Sequence, residues 1–251
     1  MPDSPYNVDL RDIRFVLYEH LRFDTLNKLE RFAAVDRESV DMVLDETFKF
    51  QRDVIAPLNA PGDQQGCRFE EGKVNLPDGF VDAYQRIVES GWLKLAVSEE
   101  LEGMGMPNVV EMAAGEATVG ACCSLSLSVG LSHAAGMVIE RRGSEQLRQL
   151  YLDRLYSGVW QGTMCLTEPQ AGSAVGDSRT TAKKVEGADH YLIEGNKIFI
   201  TAGDHDACEN HVHLVLARTD GAPAGAKGLS LFVVPKYRPD DQGEKGEFND
   251  V

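Results

Sequence analysis

Thr163-Met-Cys-Leu-Thr-Glu-Pro-Gln-Ala-Gly-Ser173 is where this sequence changes period. A short apolar run ends in a hydroxyl, a carboxylate and a proline, and a small-residue turn follows at once. Upstream of about residue 160 the apolar spacing is helical; downstream it alternates as in strands. Helices first and strands second, without alternation, give an α+β protein and exclude a βαβ sheet. The expected form is an all-α N-terminal bundle followed by a β-domain.

On the helical side, Asp36 is a candidate cap for a helix with Val40, Val43, Leu44, Thr47, Val54 and Ile55 along one stripe, ended by Pro57. Pro77 opens a second helix, with Phe80, Tyr84, Ile87 and Val88 on one face and Gly91 at its C-terminal side. Residues 108–140 are rich in Ala, Gly, Ser and Leu, the composition of closely packed, buried helices. Gly143 breaks that run, Ser144 caps a further helix, and Gly158 stops it.

On the strand side the expected strands are Gly162–Leu166, Thr180–Val185, Tyr191–Glu194, Lys197–Thr201, Val212–Arg218 and Leu229–Pro235. Glu194-Gly195-Asn196 reads as a tight hairpin, and residues 238–251 as a polar tail. The domain reading is therefore an N-terminal extension over 1–35, a helical domain over 36–158, a β-domain over 159–236 and a linker over 237–251.

Composition narrows the partners. Forty acidic against 25 basic residues leave a net charge of −15, which speaks against a nucleic-acid groove or an anionic membrane surface. No apolar run approaches the length of a membrane span, and the first residues lack a basic start and an apolar core. Five irregularly spaced cysteines without a CxxC pair fit a reduced, cytoplasmic protein.

The opening motif then ends the first strand after a helical bundle. Backbone N–H groups in a Gly-Ser turn can form an anion nest, and a bare glycine lets a phosphate approach. Taken alone, a plain structural turn is the favoured reading, and no P-loop or GxGxxG fingerprint is present. His205, Asp206, Cys208, Glu209, His211 and His213 have a metal-like composition, but lack the paired spacing of zinc ligands, and read as a solvated hairpin. No metal site is assigned. Cys122 and Cys123 read as small hydrophobes, His133 as a satisfied helix histidine, and Met104 and Met106 as adaptable loop packing.

MCLTEPQAGSAVGDSRTTA, EGNKIFITAGDH and HLVLARTDGAPAGAKGLSLFVVPK, in that order, resemble the flavin-binding half of the acyl-CoA dehydrogenase family. SGWLKLAVSEELEGMGMP and GSEQLRQLYLDRLYSGVWQGTMCLTEP are similar to the family's helical approach to that half. YNVDLRDIRFVLYE resembles the N-terminal extension of its longer bacterial branch, which includes long-chain and 3-methylmercaptopropionyl-CoA enzymes.

The resemblance implies an antiparallel, barrel-like form for the β-domain, FAD as cofactor and an acyl-CoA thioester as substrate. Met164, Leu166 and Thr167 would line the isoalloxazine ring, with Thr167 on its pyrimidine edge. Gly172 and Ser173 would cradle the pyrophosphate, Ser173 also lying near the acyl-CoA. Phe199 and Ile200 would belong to the covering segment, and Thr201 would approach flavin N5. Met164, Gln170 and Ala174 depart from the family's frequent residues. The family's α-proton-abstracting glutamate, carried by a C-terminal four-helix bundle, has no match here, so no catalytic residue is assigned. The resemblance thus implies a half-enzyme: an oligomer completed by a second chain carrying the bundle, inactive alone, and passing electrons to an electron-transferring flavoprotein. A non-catalytic binding or scaffold protein and a truncated enzyme are the alternatives.

Overall fold

In the computed structural model, which describes residues 6–251, the first two α-helices begin where an aspartate can cap them. Asp9 accepts from the Arg11 amide ahead of α1 (Leu10–Phe15), and Asp36 accepts from the Ser39 amide at 2.8 Å ahead of α2 (Arg37–Phe50). Arg14 of α1 reaches Asp41 and Asp45 of α2 at 2.7 and 2.8 Å, tying the two together. Val40, Leu44 and Thr47 are buried on α2 as the stripe requires.

Pro57 does not end this helix. A π turn over Gln51–Ile55 intervenes, and α3 (Ala56–Gln65) runs on through Pro57 and Pro61. Proline is tolerated in a helix's first turn, where its missing N–H would have had no partner, and the π turn restarts the count there. The core beneath these elements joins Ile13, Leu17, Phe23, Val40 and Leu44 to Val110 and Ala113.

A hairpin that the sequence reading did not anticipate follows, β1 (Arg68–Glu70) against β2 (Lys73–Asn75). Next, α4 (Phe80–Ser90) buries Phe80, Ala83, Tyr84 and Ile87 and stops at Gly91, whose φ of 72° suits a residue without a Cβ. The small-residue stretch forms two helices, α5 (Asn108–Ala121) and α6 (Cys123–Arg142), separated by an extended Cys122. Ser144 accepts from the Leu147 amide ahead of α7 (Glu145–Ser157), and Gly158 closes α7 with φ 81°.

The chain divides into two compact units. One comprises residues up to Gly130 with Tyr156–Gly158 and His205–Ala207; the other comprises Leu131–Leu155, Val159–Asp204 and Cys208–Val251. In the second unit α6 lies hard against the first strand of the sheet. A Cβ on Gly162 would come within 2.5 Å of the Ala135 Cβ, and the Gly162 amide donates to the Ser132 hydroxyl at 3.2 Å. By length and composition α6 could cross a membrane, so one run does approach a span. It is weakly apolar because Ala, Gly and Ser dominate it, and those small side chains permit this close contact.

The sheet contains β3 (Trp160–Cys165), β4 (Thr181–Lys184), β5 (Tyr191–Glu194), β6 (Asn210–Thr219) and β7 (Leu229–Pro235). The strand order is β3-β6-β4-β5, with β7 also paired to β6. The sheet is mixed, not antiparallel: β6 pairs parallel with β3 and β4, and antiparallel with β7. Parallel pairing needs a long connection between the strands, and β3 and β6 are separated by the whole stretch 166–209.

Two local expectations are corrected. Lys197–Thr201 is not a strand, and Glu194-Gly195-Asn196 is not a hairpin: among the described residues β5 pairs only with β4, and Phe199 and Ala202 adopt left-handed φ values of 57° and 50°. The expected polar tail forms β8 (Tyr237–Pro239) against β9 (Lys245–Phe248). Asn210 holds it: its side chain accepts from the Tyr237 amide at 2.9 Å and donates to the Tyr237 carbonyl at 2.8 Å, in the manner of a backbone ladder.

Candidate functional site

β3 begins deep in the second unit with Trp160, Gln161, Gly162 and Thr163 buried, and its burial fades toward Met164, Leu166 and Thr167. The chain then turns sharply. Glu168 and Ala171 exchange both backbone hydrogen bonds, at 2.9 and 3.0 Å, around Pro169 and Gln170. Gly172 and Ser173 follow, exposed. A Cβ built on Gly172 meets no heavy atom within 4 Å, so the space in front of this turn is open.

The Glu168 side chain points inward. Its carboxylate accepts five hydrogen bonds: from Lys197 Nζ, from the Thr180 amide and hydroxyl, from the Arg179 amide and from Gln170 Nε2. Burial opposes the charge, but the Lys197 ammonium, the Thr180 hydroxyl and the two amides outweigh it and hold the carboxyl well below the usual range. With both oxygens engaged and its affinity for a proton held low, the Glu168 carboxylate is a poor acceptor for a substrate proton, and its contacts suit holding the turn.

A second segment lies alongside. The Ile198 amide donates to the Thr167 carbonyl at 2.9 Å, and Lys197 Nζ donates to the Leu166 carbonyl at 3.0 Å. Phe199, one residue on, is 88% exposed at a left-handed φ. Thr201 is exposed and Ile200 half-buried. Thus Met164, Leu166, Thr167, Gly172, Ser173, Phe199, Ile200 and Thr201 all retain accessible surface, and the bond from Ile198 to Thr167 joins their two groups. Hydroxyls beside apolar side chains, with an open glycine turn next to them, suit a flat ring system carrying an anionic tail.

The histidines and cysteine after this segment are not a solvated hairpin. In the second unit His211 and His213 lie on β6, 2% and 6% exposed, their rings stacked 6.2 Å apart. β6 is covered along most of its length, so both side chains must find partners inside. His213 Nδ1 shares a hydrogen bond with the Thr163 hydroxyl at 2.7 Å, and burial pushes its pKa down to about 4. Cys208 donates to the Asn210 carbonyl, and burial pushes its thiol up to about 12. Asp204 lies 3.5 Å from His211 and 2.6 Å from Lys236 Nζ. In the first unit, buried His205 accepts from the Ala207 amide and meets the Tyr84 ring edge-on. Asp206 and Glu209 are exposed.

Residues 37–159 match the acyl-CoA dehydrogenase N-terminal domain, and residues 163–245 match the acyl-CoA dehydrogenase middle domain. The chain belongs to the acyl-CoA dehydrogenase family. It is 43% identical to a 3-methylmercaptopropionyl-CoA dehydrogenase of Ruegeria pomeroyi over 97% of its own length and 41% of the relative's. Among solved structures it is similar to an acyl-CoA dehydrogenase of Geobacillus kaustophilus, at 25% identity and a TM-score of 0.66, over 82% of this chain and 50% of that one. An acyl-CoA dehydrogenase from Bacillus anthracis complexed with FAD is similar at 25% identity and a TM-score of 0.61, over 82% of this chain and 32% of that one. The chain spans about two fifths of the length of the curated relatives it matches.

Within this family frame, two residues stand out that sequence reasoning did not assign to the site. Lys197 links the two exposed segments. Arg218 donates to the Gly176 carbonyl at 3.0 Å and to the Pro223 and Gly225 carbonyls, bracing the loop after Ser173. The signal for Lys197 was a single cation directly before an apolar Ile-Phe-Ile run.

Proposed function

We propose that these 251 residues form the flavin- and acyl-CoA-binding half of an FAD-dependent acyl-CoA dehydrogenase. The observation that supports this reading best is the pairing of two accessible segments, 164–173 and 198–201, through the Ile198–Thr167 bond. FAD, when bound, would accept the hydride removed from the β-carbon of the thioester. The chain's own part is to bind and orient. Met164 and Leu166 offer an apolar floor, and the Thr167 hydroxyl bonds the pyrimidine edge. The Gly172 and Ser173 turn takes the pyrophosphate, with Ser173 also facing the acyl-CoA. Phe199 and Ile200 exclude water from one side of the ring, and Thr201 lies toward N5.

The α-proton of a thioester needs a positioned base. Glu168 is engaged elsewhere, and we assign the base to a glutamate on a helical bundle outside these residues, brought by a second chain or by further sequence. Electrons would leave through an electron-transferring flavoprotein, and the working form would be a cytoplasmic oligomer.

Titration with FAD, followed by flavin absorbance, tests the cofactor assignment. Gly172→Leu should abolish binding while leaving the melting temperature unchanged, because its side chain enters space that is open in the protein and would be filled by the pyrophosphate. Ser173→Ala should weaken binding by ~1.5–3 kcal/mol, the scale of a charge-assisted hydrogen bond. Unchanged flavin affinity in both variants would defeat the assignment.

A further inference from the structure

The Glu168 and Lys197 side chains are only 3% and 10% exposed, and their charged groups are 2.8 Å apart. A buried ion pair returns little stability after its desolvation, and its clearest use is to fix one geometry among several. Glu168 sits in the turn that leads to Gly172 and Ser173, and it also holds the start of β4 through Arg179 and Thr180. Lys197 donates both to that carboxylate and to the last carbonyl before Thr167. The next residue, Ile198, is bonded to Thr167 itself.

The residue these contacts lead into is under strain. Phe199 combines a bulky side chain, a φ of 57° and 88% exposure. A left-handed backbone at such a residue is costly and persists only where its surroundings over-determine it. The exposed ring contributes almost nothing to the core. On its N-terminal side the conformation is held by Lys197 and Ile198; on its C-terminal side, the Gly203 amide donates to the Ile200 carbonyl at 3.1 Å.

We propose that the Glu168–Lys197 pair is a positioning clamp that fixes the separation between Thr167 and Phe199, so that a ring seated by the first is covered by the second. Both are positioning residues, acting through Thr167, Phe199 and Thr201. The inference rests on the flavin reading above, but the clamp also makes a claim about the cofactor-free protein.

The experiment uses the full protein with any chain that accompanies it. Lys197→Met keeps the length of the side chain, removes the ammonium and leaves Glu168 with its four other donors. Two measurements are made: FAD affinity, and amide hydrogen exchange without FAD. Lys197→Met should raise the FAD dissociation constant about tenfold or more, the size of one lost charge-assisted hydrogen bond. It should also speed exchange at Ile198 by a similar factor while leaving Val215 in β6 unchanged. Lys197→Arg should restore both to within about threefold of wild type, as retention of the charge requires. Unchanged exchange at Ile198 overturns the clamp. Faster exchange with unaltered FAD affinity overturns its purpose. If the wild type binds no FAD, the flavin reading fails and the purpose assigned here falls with it, while the exchange data still decide whether the pair holds the segment.

Discussion

β6 and Lys197–Thr201 look alike in the sequence, both short runs rich in Val, Ile, Leu or Phe, yet one is the most paired strand of the sheet and the other is no strand. β6 is bonded by β3 and β4 on one side and β7 on the other, and is buried along most of its length. Lys197–Thr201 has one backbone bond to Thr167, two residues past β3, two left-handed residues at or beside it, and a phenylalanine turned outward. Apolar character does not record where a side chain ends up: it can lie in the core, against a ligand, or in water, as Phe69 does at 75% exposure. In β6 the shelter is internal. At Phe199 it is absent from the fold itself; what sets this residue apart from other exposed side chains is its left-handed backbone beside the bond from Ile198 to Thr167.

Three measurements can break or sharpen that contrast. Leu214, 1% exposed at the centre of β6, should be costly to truncate: Leu214→Ala is expected to lower unfolding stability by ~3 kcal/mol in urea titration. A loss below about 1 kcal/mol would mean that β6 is not the core strand its burial indicates.

The second effect depends on pH. His213 titrates near 4 in the folded protein against an ordinary value of 6.5, so the unfolded chain binds a proton that the folded one refuses between those values. Above pH 6.5 both states are neutral at this site and its contribution is full; as pH falls toward 4 stability drains away. Between pH 7 and pH 5 the loss from this one group is about 2 kcal/mol, at ~1.4 kcal/mol per pH unit. His213→Gln should flatten the stability–pH slope over that range, and an unchanged slope would show that the histidine takes up its proton inside as readily as in the unfolded chain.

The smallest effect is the most diagnostic. Phe199→Ala should change the stability of the cofactor-free protein by less than about 0.5 kcal/mol, as for other exposed positions. The same variant should bind FAD more weakly. A stability loss comparable to that at Leu214 would erase the distinction drawn here.

Much of this was legible in the sequence for physical reasons. Asp36, Gly91, Ser144 and Gly158 act at helix ends by local chemistry, so reading them needs no tertiary knowledge. β5 and β7 occupy their expected residues because short runs of Tyr, Leu, Ile, Phe and Val bounded by glycine or proline are also a local signal. The parallel pairing of β3 with β6 was not legible, since strand partners are a choice made across the chain. Nor was the burial of His211 and His213: their polarity suggests solvent, and partners supplied from elsewhere, among them the Thr163 hydroxyl, the Asp204 carboxylate and the Cys208 thiol, explain their place inside. At the candidate site the residues themselves came from the family resemblance, whereas Lys197 and Arg218, which hold the segments in place, required the coordinates. Pro57 misled because its cost depends on its position within a turn, and the π turn before it was invisible.

The fork of Arg218 bears on how this protein can drift over time. The stretch from Thr219 to Gly225 has the appearance of a surface loop in which insertions are harmless, with Asp220, Gly221 and Ala222 all exposed or nearly so. Yet the guanidinium grips carbonyls of that loop and of Gly176 at once, and Gly176 leaves only 2.9 Å between a would-be Cβ and the Ala226 nitrogen. The length of one loop is thereby written into the shape of another more than forty residues earlier. A descendant that gained a residue after Asp220 would have to rebuild the grip on Gly176, three residues past Ser173.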